Sequence, residues 1–363
     1  MRIVHIISTL NIGGAENFVV QLANEQSKFN AVTIIVTGIT DLNKNYRSQI
    51  HNTITLYELG WTKKYNILQF IRLNSLLKRL MPERIFVHLH NPLYYIYGIS
   101  FIQRKISYVH TIHSSFDNWK PILKYLNKLR LFNNKILHVC VAPTIYNSLK
   151  KNFPKLKTTV IRNGIGEHQL KRESIEIKEF WNSFSIKPKK GKRFLAIGNI
   201  NRHKNYKLLS LSFDKIYSQY ADAMCIQVGN EMDPILAREL KKINTPNLFF
   251  AGSQNNAADF LLHADALIVS SLQEGMPIVI LEALSMGVPI ISTPAGGIKD
   301  IIVNGENGFI TQDFEVSSLT SAILKFIESS NEDKKKMAKN ARVCFEQHYE
   351  IQKISKIYQN KSA

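Results

Sequence analysis

Cysteine is scarce in this chain: three in 363 residues, Cys140, Cys225 and Cys344, far apart and odd in number. That pattern argues against a disulfide framework or a cysteine metal cluster and fits a reducing cytosol, with the thiols acting as small buried hydrophobes. No apolar run approaches the roughly 20 residues that would span a bilayer. The opening MRIVHIIST reads as a short apolar strand and lacks the charged region, long apolar core and cleavage site of a signal peptide. There is no Asp-x-Asp cluster to hold a metal, and no G-x-G-x-x-G fingerprint, which makes a two-domain dehydrogenase the least favoured class. Internal repeats and low-complexity stretches are also missing. What remains is a chain of ordinary globular composition, 45% hydrophobic and 21% charged, long enough for two domains with separate cores.

Acidic residues are missing from one region in particular. The chain carries a net charge of +19, and between Trp61 and Lys157 there are 17 basic residues against two acids, Glu83 and Asp117, a local net of +15. Such a patch points to nucleic acid, an anionic membrane or an anionic substrate. Two stretches inside it have helical spacing. Ile67, Phe70, Ile71, Leu73, Leu76, Leu77 and Leu80 recur among lysines and arginines. Further on, Trp119, Ile122, Leu123, Leu126, Leu129 and Leu131 alternate with Lys120, Lys124, Lys128 and Arg130. A basic helix with such apolar stripes suits a membrane surface, where each basic residue contributes about 1 kcal/mol. Nucleic acid is disfavoured, because the aromatics do not form a stacking platform on strands.

The most informative stretch is ALIVSSLQEGMPIVILEALSMGVPIIST, residues 266 to 293. Two β-branched runs flank a helix that is expected to start at Pro277, as the first helical residue, and to stop at Gly287. The resulting β-loop-α-β unit implies a parallel sheet and therefore an α/β fold. Ligands of open α/β sheets bind beyond the carboxyl ends of strands, here the loop Gln273 to Gly275. Glu274 lies on that loop and Glu282 within the helix, and both can face the crevice. Carboxylates accept vicinal sugar hydroxyls well, and helix N-termini suit phosphates. Either glutamate alone would be read as a solvated surface residue.

Earlier in the chain, a strand at Met1–Thr9 runs into Gly13-Gly14 and an amphipathic helix, which suggests a tight turn and a phosphate cradle. Strands are expected at 31–38, 53–59, 84–90 and 106–115. The strand 84–90 ends in His88 and His90, and 106–115 delivers His110 and His113. A metal pair at His88 and His90 is disfavoured for lack of nearby carboxylates or cysteines, so these two are expected to line an acceptor pocket, with His110 and His113 reaching the same edge. Thr144 is the expected cap of a helix after HVCVAP, and TTVIRNGI closes the first half. The charged stretch 167–192, with a helix around Trp181, reads as a linker. The expected bounds are 1–166, a linker at 167–192, a second domain at 193–345, and a terminal helix at 346–363 that crosses back to the first domain.

EGMPIVILE resembles the E-x7-E motif of retaining glycosyltransferase family 4, whose GT-B architecture is α/β, with two Rossmann-like domains facing each other across a cleft. The resemblance implies that Glu274 contacts donor-sugar hydroxyls and Glu282 the ribose hydroxyls. It also implies that main-chain amides around Gly275, Met276 and Pro277 approach the sugar and diphosphate. TLNIGGAE resembles the family's opening loop, which faces the donor phosphates, so Gly13 and Gly14 join the set. His113 matches a histidine beside the reacting centre, and Asn163 falls in the V-I-x-N-G element. At RFLAIGNINRHK the family has an arginine directly after the glycine. Here Gly198 is followed by Asn199, while Lys204 keeps the lysine position and Arg202 is placed to reach the same phosphates.

The resemblance therefore implies a hexosyltransferase that retains anomeric configuration. Its donor would be a nucleotide sugar, uridine diphosphate-linked, with no bound cofactor and no metal, and Lys204 would offset the charge of the leaving diphosphate. No carboxylate stands out as a covalent nucleophile, so a front-face mechanism is the working expectation. The basic helices suggest a glycan or polyprenyl-linked acceptor for bacterial surface polysaccharide such as lipopolysaccharide or capsule. They also suggest a cytoplasmic enzyme held peripherally on the inner face of an anionic membrane. The competing readings are a nucleotide-sugar epimerase of the same fold and a non-catalytic membrane-associated scaffold.

Overall fold

The computed structural model describes residues 1–62, 66–89, 91–113, 135–168, 170, 172–184, 192–243 and 245–361. The chain divides into two compact units, Met1–Gly166 with His348–Ala363, and Glu167–Gln347.

The first unit is built on a parallel sheet. Its strands are β1 (Arg2–Ile7), β2 (Ala31–Val36), β3 (Thr55–Glu58), β4 (Arg84–His88), β5 (Ser107–Ile112), β6 (Ile136–Cys140) and β7 (Thr158–Val160), in the spatial order 3-2-1-4-5-6-7. The central strands are buried on both faces, which is why they read as near-continuous apolar runs. The order reverses between β1 and β4, so loops from these two strands flank the crevice at the sheet's carboxyl edge. The helix Ile67–Leu80 buries Leu73, Leu76 and Leu77 as its spacing requires. The helix Leu93–Ile102 has no counterpart in the sequence reading. LYYIYGISFI is apolar all round, so it shows no 3.6-residue stripe. It packs closely on the helix before it, and a Cβ at Gly98 would stand 2.7 Å from the Phe70 ring. The helix after β6 starts at Pro143, with Ala142 as the N-cap in place of the expected Thr144, because proline suits the first helical position.

The C-terminal helix Ile351–Asn360 completes this unit. It packs on the helix Gly14–Ser27, with Tyr358 buried beside Phe18 and Phe86. Arg84 Nη1 donates to the carbonyls of Tyr358 (3.0 Å) and Gln359 (2.6 Å) at the end of that helix, where cations are favoured. Gly164 lets the chain pass beneath it. A Cβ there would be 2.6 Å from Ile354 Cγ1 and 2.9 Å from the Tyr349 carbonyl oxygen.

The second unit repeats the plan. The strands β8 (Arg193–Ile197), β9 (Met224–Val228), β10 (Leu248–Phe250), β11 (Ala266–Val269), β12 (Ile290–Ser292) and β13 (Gly308–Ile310) pair in parallel in the order 10-9-8-11-12-13. Phe194, Phe213 and Phe326 meet edge to face in its core, with ring centres 5.8 and 5.9 Å apart. Truncating a buried phenylalanine of this kind costs roughly 3–5 kcal/mol. The order reverses between β8 and β11, which brings the loops after these two strands together. The helix Ser174–Asn182, in the stretch expected as a linker, lies on the 3₁₀ helix Ala257–His263. Trp181 is buried and donates its Nε1–H to the Phe260 carbonyl at 3.1 Å, and Phe180 stacks on Phe260 at 3.7 Å. Burial of an indole with its polar hydrogen satisfied fixes this segment to the second unit.

Candidate functional site

The loop leaving β8 is built around Gly198, at φ +151°. Its carbonyl accepts from Tyr206 Oη (2.9 Å) and Gln227 Nε2 (2.7 Å). Asn199, in the place expected for an arginine, turns away. Its Oδ1 accepts from the Asn230 backbone N–H at 3.1 Å and from Asn230 Nδ2 at 3.3 Å. The loop then winds into the 3₁₀ turn Arg202–Lys204, capped by Asn201 Oδ1 accepting from the Lys204 N–H at 3.1 Å. Two bonds tie this loop to the one after β11. Ser270 Oγ donates to the Lys204 carbonyl at 2.8 Å, and the Leu272 N–H donates to the His203 carbonyl at 2.8 Å.

The reversal in strand order thus brings together two charged groups 70 positions apart in the chain. Lys204 Nζ lies 2.6 Å from Glu274 Oε1, and Ser271 Oγ donates to the same oxygen at 2.7 Å. The side chains are 23% and 14% exposed, so this is a partly desolvated pair rather than a solvated surface contact. The Glu274 loop is held from behind by Gly296 and Gly297. Gly296 has φ +54°, and a Cβ there would be 1.9 Å from the Glu274 carbonyl oxygen, while the Gly297 N–H donates to the Gly275 carbonyl at 3.1 Å. Sequence reasoning saw a glycine turn there but not its hold on Glu274, because nothing local marks that contact.

Met276 is buried, and Pro277 serves as the N-cap of the helix Ile278–Ser285 with extended backbone (φ −68°, ψ 125°), one place before the helical position expected for it. Gly287 ends the turn at φ +67°. The N-terminal turn of this helix follows directly on the Glu274 loop, with the Ile280 N–H donating to the Pro277 carbonyl at 3.1 Å. Glu282, half-buried on that helix, has its carboxyl pushed above the ordinary carboxylate range. Burial is the main cause, opposed by the nearby His168 and reinforced by Asp259. Sequence reasoning missed both of these neighbours. His168 Nε2 and Asp259 Oδ1 are 2.7 Å apart, and the Arg172 N–H donates to Asp259 Oδ2 at 3.0 Å. Arg202 stands apart from the Lys204–Glu274 pair. Its side chain is 91% exposed and lies 4.0 Å from Asp233, not against Glu274.

The candidates in the first unit divide into edge and core. Gly13 is the N-cap of the helix Gly14–Ser27 with extended backbone at φ −170°, so the glycine pair is no left-handed turn. The Glu16 carboxylate folds back so that a Cβ on Gly13 would lie 2.4 Å from its Oε2. Burial raises the Glu16 pKa, while bonds from its own N–H and from Thr9 work against that shift. His113, beyond β5, is half-exposed and lies edge-on to Phe18, with ring centres 5.7 Å apart.

His88 was expected to line an acceptor pocket, but it is fully buried. His5 Nε2–H donates to Gln26 Oε1 at 2.8 Å, leaving Nδ1 to accept from His88 Nε2–H at 3.1 Å. Burial pushes His5 down to about 4 and holds His88 well below its ordinary value. β4 ends at His88, and Leu89 follows with φ +64°, so the expected alternation to His90 is broken; His90 lies outside the described residues. His110 is likewise buried, 3.1 Å from His138 between their Nδ1 atoms. Asn163 is buried at 2% exposure. The basic stretch from Trp119 to Leu131 lies outside the described residues. The helix Ile67–Leu80 leaves Ile67, Leu68 and Ile71 more than half exposed beside exposed Arg72, Lys78 and Arg79. Among the described residues no cluster could hold a metal, and no helix is long and apolar enough to cross a membrane.

Comparison with known proteins identifies the family and the fold. Residues 12–168 match the family model described as Glycosyltransferase Family 4, and residues 177–343 match Glycosyl transferases group 1. An uncharacterized glycosyltransferase of Methanocaldococcus jannaschii is 35% identical over 127 residues, 34% of this chain and 30% of the relative. The N,N'-diacetylbacillosaminyl-diphospho-undecaprenol alpha-1,3-N-acetylgalactosaminyltransferase of Campylobacter jejuni is 23% identical over 238 residues, 65% of this chain and 57% of the relative. The chain thus spans less than two thirds of the length of either relative. Among solved structures, Anabaena HepE in complex with UDP and glucose superposes with a TM-score of 0.81 at 18% identity, covering 99% of this chain and 98% of that one. At that identity the likeness establishes the GT-B fold.

Proposed function

For a chain that belongs to the family 4 glycosyltransferases and is a glycosyltransferase enzyme of GT-B fold, we propose a nucleotide-sugar donor site in the second unit, at the β8/β11 reversal. The observation that carries this is the 2.6 Å pair between Lys204 and Glu274. A cation and an anion that neutralise each other at a sheet's ligand edge are matched to a ligand with both a diphosphate and hydroxyls. In this reading the diphosphate takes Lys204 from Glu274, and the freed carboxylate accepts sugar hydroxyls. Lys204 and the first-turn amides of the helix Ile278–Ser285 then stabilise the charge that develops on the leaving diphosphate, without a metal. Glu282 in its ionised form accepts two ribose hydroxyls. A uridine diphosphate sugar as donor is supported by the complex of the structural neighbour HepE.

We read the transfer as one that retains configuration by a front-face route: among the described residues Lys204 pairs with Glu274, whose Oε1 also accepts from Ser271, and neither Lys204 nor Ser271 is a carboxylate nucleophile. The acceptor is a glycan on a polyprenyl diphosphate, the acceptor class named for the Campylobacter relative. The enzyme works peripherally at the cytoplasmic face of an anionic membrane, using the basic stretches of the first unit. Thermal stabilisation by a panel of nucleotide sugars tests the donor reading: a UDP sugar is expected to raise the melting temperature of the native chain but not that of Glu282→Ala. A full shift in the mutant would remove Glu282 from the donor site. Chelator added to the transfer assay should leave the rate unchanged, and the product linkage should keep the donor's anomeric configuration. Exchanging Lys120, Lys124 and Lys128 for glutamate should release the protein from anionic vesicles.

A further inference from the structure

We propose that His168 and Asp259 act as a pair of positioning residues that set the charge of Glu282, and through it the affinity for the nucleoside part of the donor. The inference rests on the donor reading above and adds two residues to it.

Three observations carry it. First, Asp259 sits on the 3₁₀ helix Ala257–His263, which packs against the helix Ile278–Ser285 that carries Glu282. Second, the Asp259 carboxylate is fully buried, with donors on both oxygens: His168 Nε2 at 2.7 Å and the Arg172 N–H at 3.0 Å. A buried carboxylate is costly unless it is paired and hydrogen-bonded, so the position is occupied for a reason. Since a carboxylate only accepts, Nε2 must carry the proton, which fixes the orientation of the ring.

Third, the segment has holds besides the bond between His168 and Asp259. Arg172 donates from Nη2 to the Asn255 carbonyl at 3.0 Å and lies over the Phe260 ring at 5.2 Å. Trp181 reaches the Phe260 carbonyl as well. The pair is therefore available for an electrostatic task, and Glu282 is within its reach. His168 favours the charged form of Glu282 and Asp259 disfavours it, while burial is the larger opposing influence. Among the described residues the Lys204–Glu274 pair lies before the start of this helix, and Arg342 donates from Nη1 to the Ser285 carbonyl at its far end while paired with Glu167 and Glu346. Glu282 must be ionised to accept two ribose hydroxyls, so His168 works for nucleoside binding and the Asp259 charge tempers it.

The two residues push Glu282 in opposite directions, which gives a test that a purely structural role cannot imitate. UDP is titrated calorimetrically into the full chain between pH 4.5 and 8, with native protein, His168→Gln, Asp259→Asn, Glu282→Gln and the double variant His168→Gln/Glu282→Gln. Affinity should fall on the acid side as Glu282 takes up a proton. His168→Gln should move that limb to higher pH by roughly half to one unit, and Asp259→Asn should move it lower. In the Glu282→Gln background, His168→Gln should change nothing further. Limbs that stay in place, or losses that add in the double variant, would overturn the pair while leaving the donor site intact. Failure of the native protein to bind UDP or GDP would instead overturn the donor reading on which the pair depends.

Discussion

Two sheets with the same reversal of strand order carry opposite kinds of polar chemistry. In the first unit the conspicuous polar side chains lie within strands: His5 on β1, His88 on β4, His110 on β5 and His138 on β6, all fully buried. In the second unit they lie on loops past the strand ends, where Lys204 and Glu274 meet partly open to solvent. A polar group inside a doubly covered strand has no route to a ligand, so it must find a partner in the core. His5 finds Gln26 and His88, and His110 finds His138. A polar group just beyond the carboxyl end is positioned by backbone and left for chemistry. A displacement of a few residues along the chain thus separates a structural histidine from a candidate for catalysis, as His110 within β5 and His113 just beyond its end illustrate.

If the second unit's loops are the chemical half of the molecule, the largest effect should come from a residue with no functional group. Gly296→Ala places a methyl 1.9 Å from the Glu274 carbonyl oxygen, against backbone that cannot yield without moving the loop. A shift of about 1 Å at a reacting centre costs on the order of 100-fold in rate. We expect kcat/KM to fall by at least that factor while the circular dichroism spectrum keeps its native shape. Lys204→Ala should follow, with a loss of roughly 100- to 1,000-fold in kcat from removing a preorganised charge at the leaving group. Glu274→Gln should act on the same pair from the other side. If the two residues act as one unit, the double variant should be scarcely worse than Lys204→Ala alone.

The first unit should answer to pH instead. His5 is held at about 4 by burial, below the ordinary 6.5 of histidine. The unfolded chain therefore binds the proton first, and stability is lost as pH falls from about 6.5 towards 4, on the order of 3 kcal/mol for this group. His88, also held low, adds to the loss in the same window. Hydrogen exchange measured between pH 7 and 4.5 should show β1 and β4 losing protection well before β8 and β11. Equal loss in both units would mean that the imidazole core is not the acid-sensitive element.

Sequence and structure agree where the signal is local. β-branched runs marked the buried strands, and the loop-and-helix placement of Glu274 and Glu282 was legible from Pro277, Gly287 and the flanking strands. What was not legible depends on pairing at long range or lacks periodicity. His5 and His88 are 83 positions apart and His168 and Asp259 are 91, so neither partnership leaves a mark in either local stretch. The helix Leu93–Ile102 escaped because a uniformly apolar segment has no stripe to read. At Gly13 the sequence did not show that the backbone is extended and that the Glu16 carboxylate folds back beside it.

The smallest effect expected from the comparison concerns Asn199. Family members carry arginine after the glycine of this loop, whereas here Asn199 binds the Asn230 backbone and side chain at 3.1 and 3.3 Å. Arg202, the nearest alternative cation in the sequence, is 91% exposed and turned towards Asp233. In the proposed donor site Lys204 is then the placed cation and Arg202 an exposed one. Asn199→Arg adds a second placed charge but gives up two neutral hydrogen bonds, each contributing roughly 0.5–1.5 kcal/mol to the loop. A new charge-assisted bond to phosphate is worth about 1.5–3 kcal/mol, so the two changes nearly cancel. We expect UDP affinity to rise no more than about tenfold, with a slightly lower melting temperature in the free protein. Arg202→Ala should cost less in the Asn199→Arg background than in the native chain, because the placed arginine takes over its work. An equal cost in both backgrounds would show that Arg202 never reaches the donor phosphates.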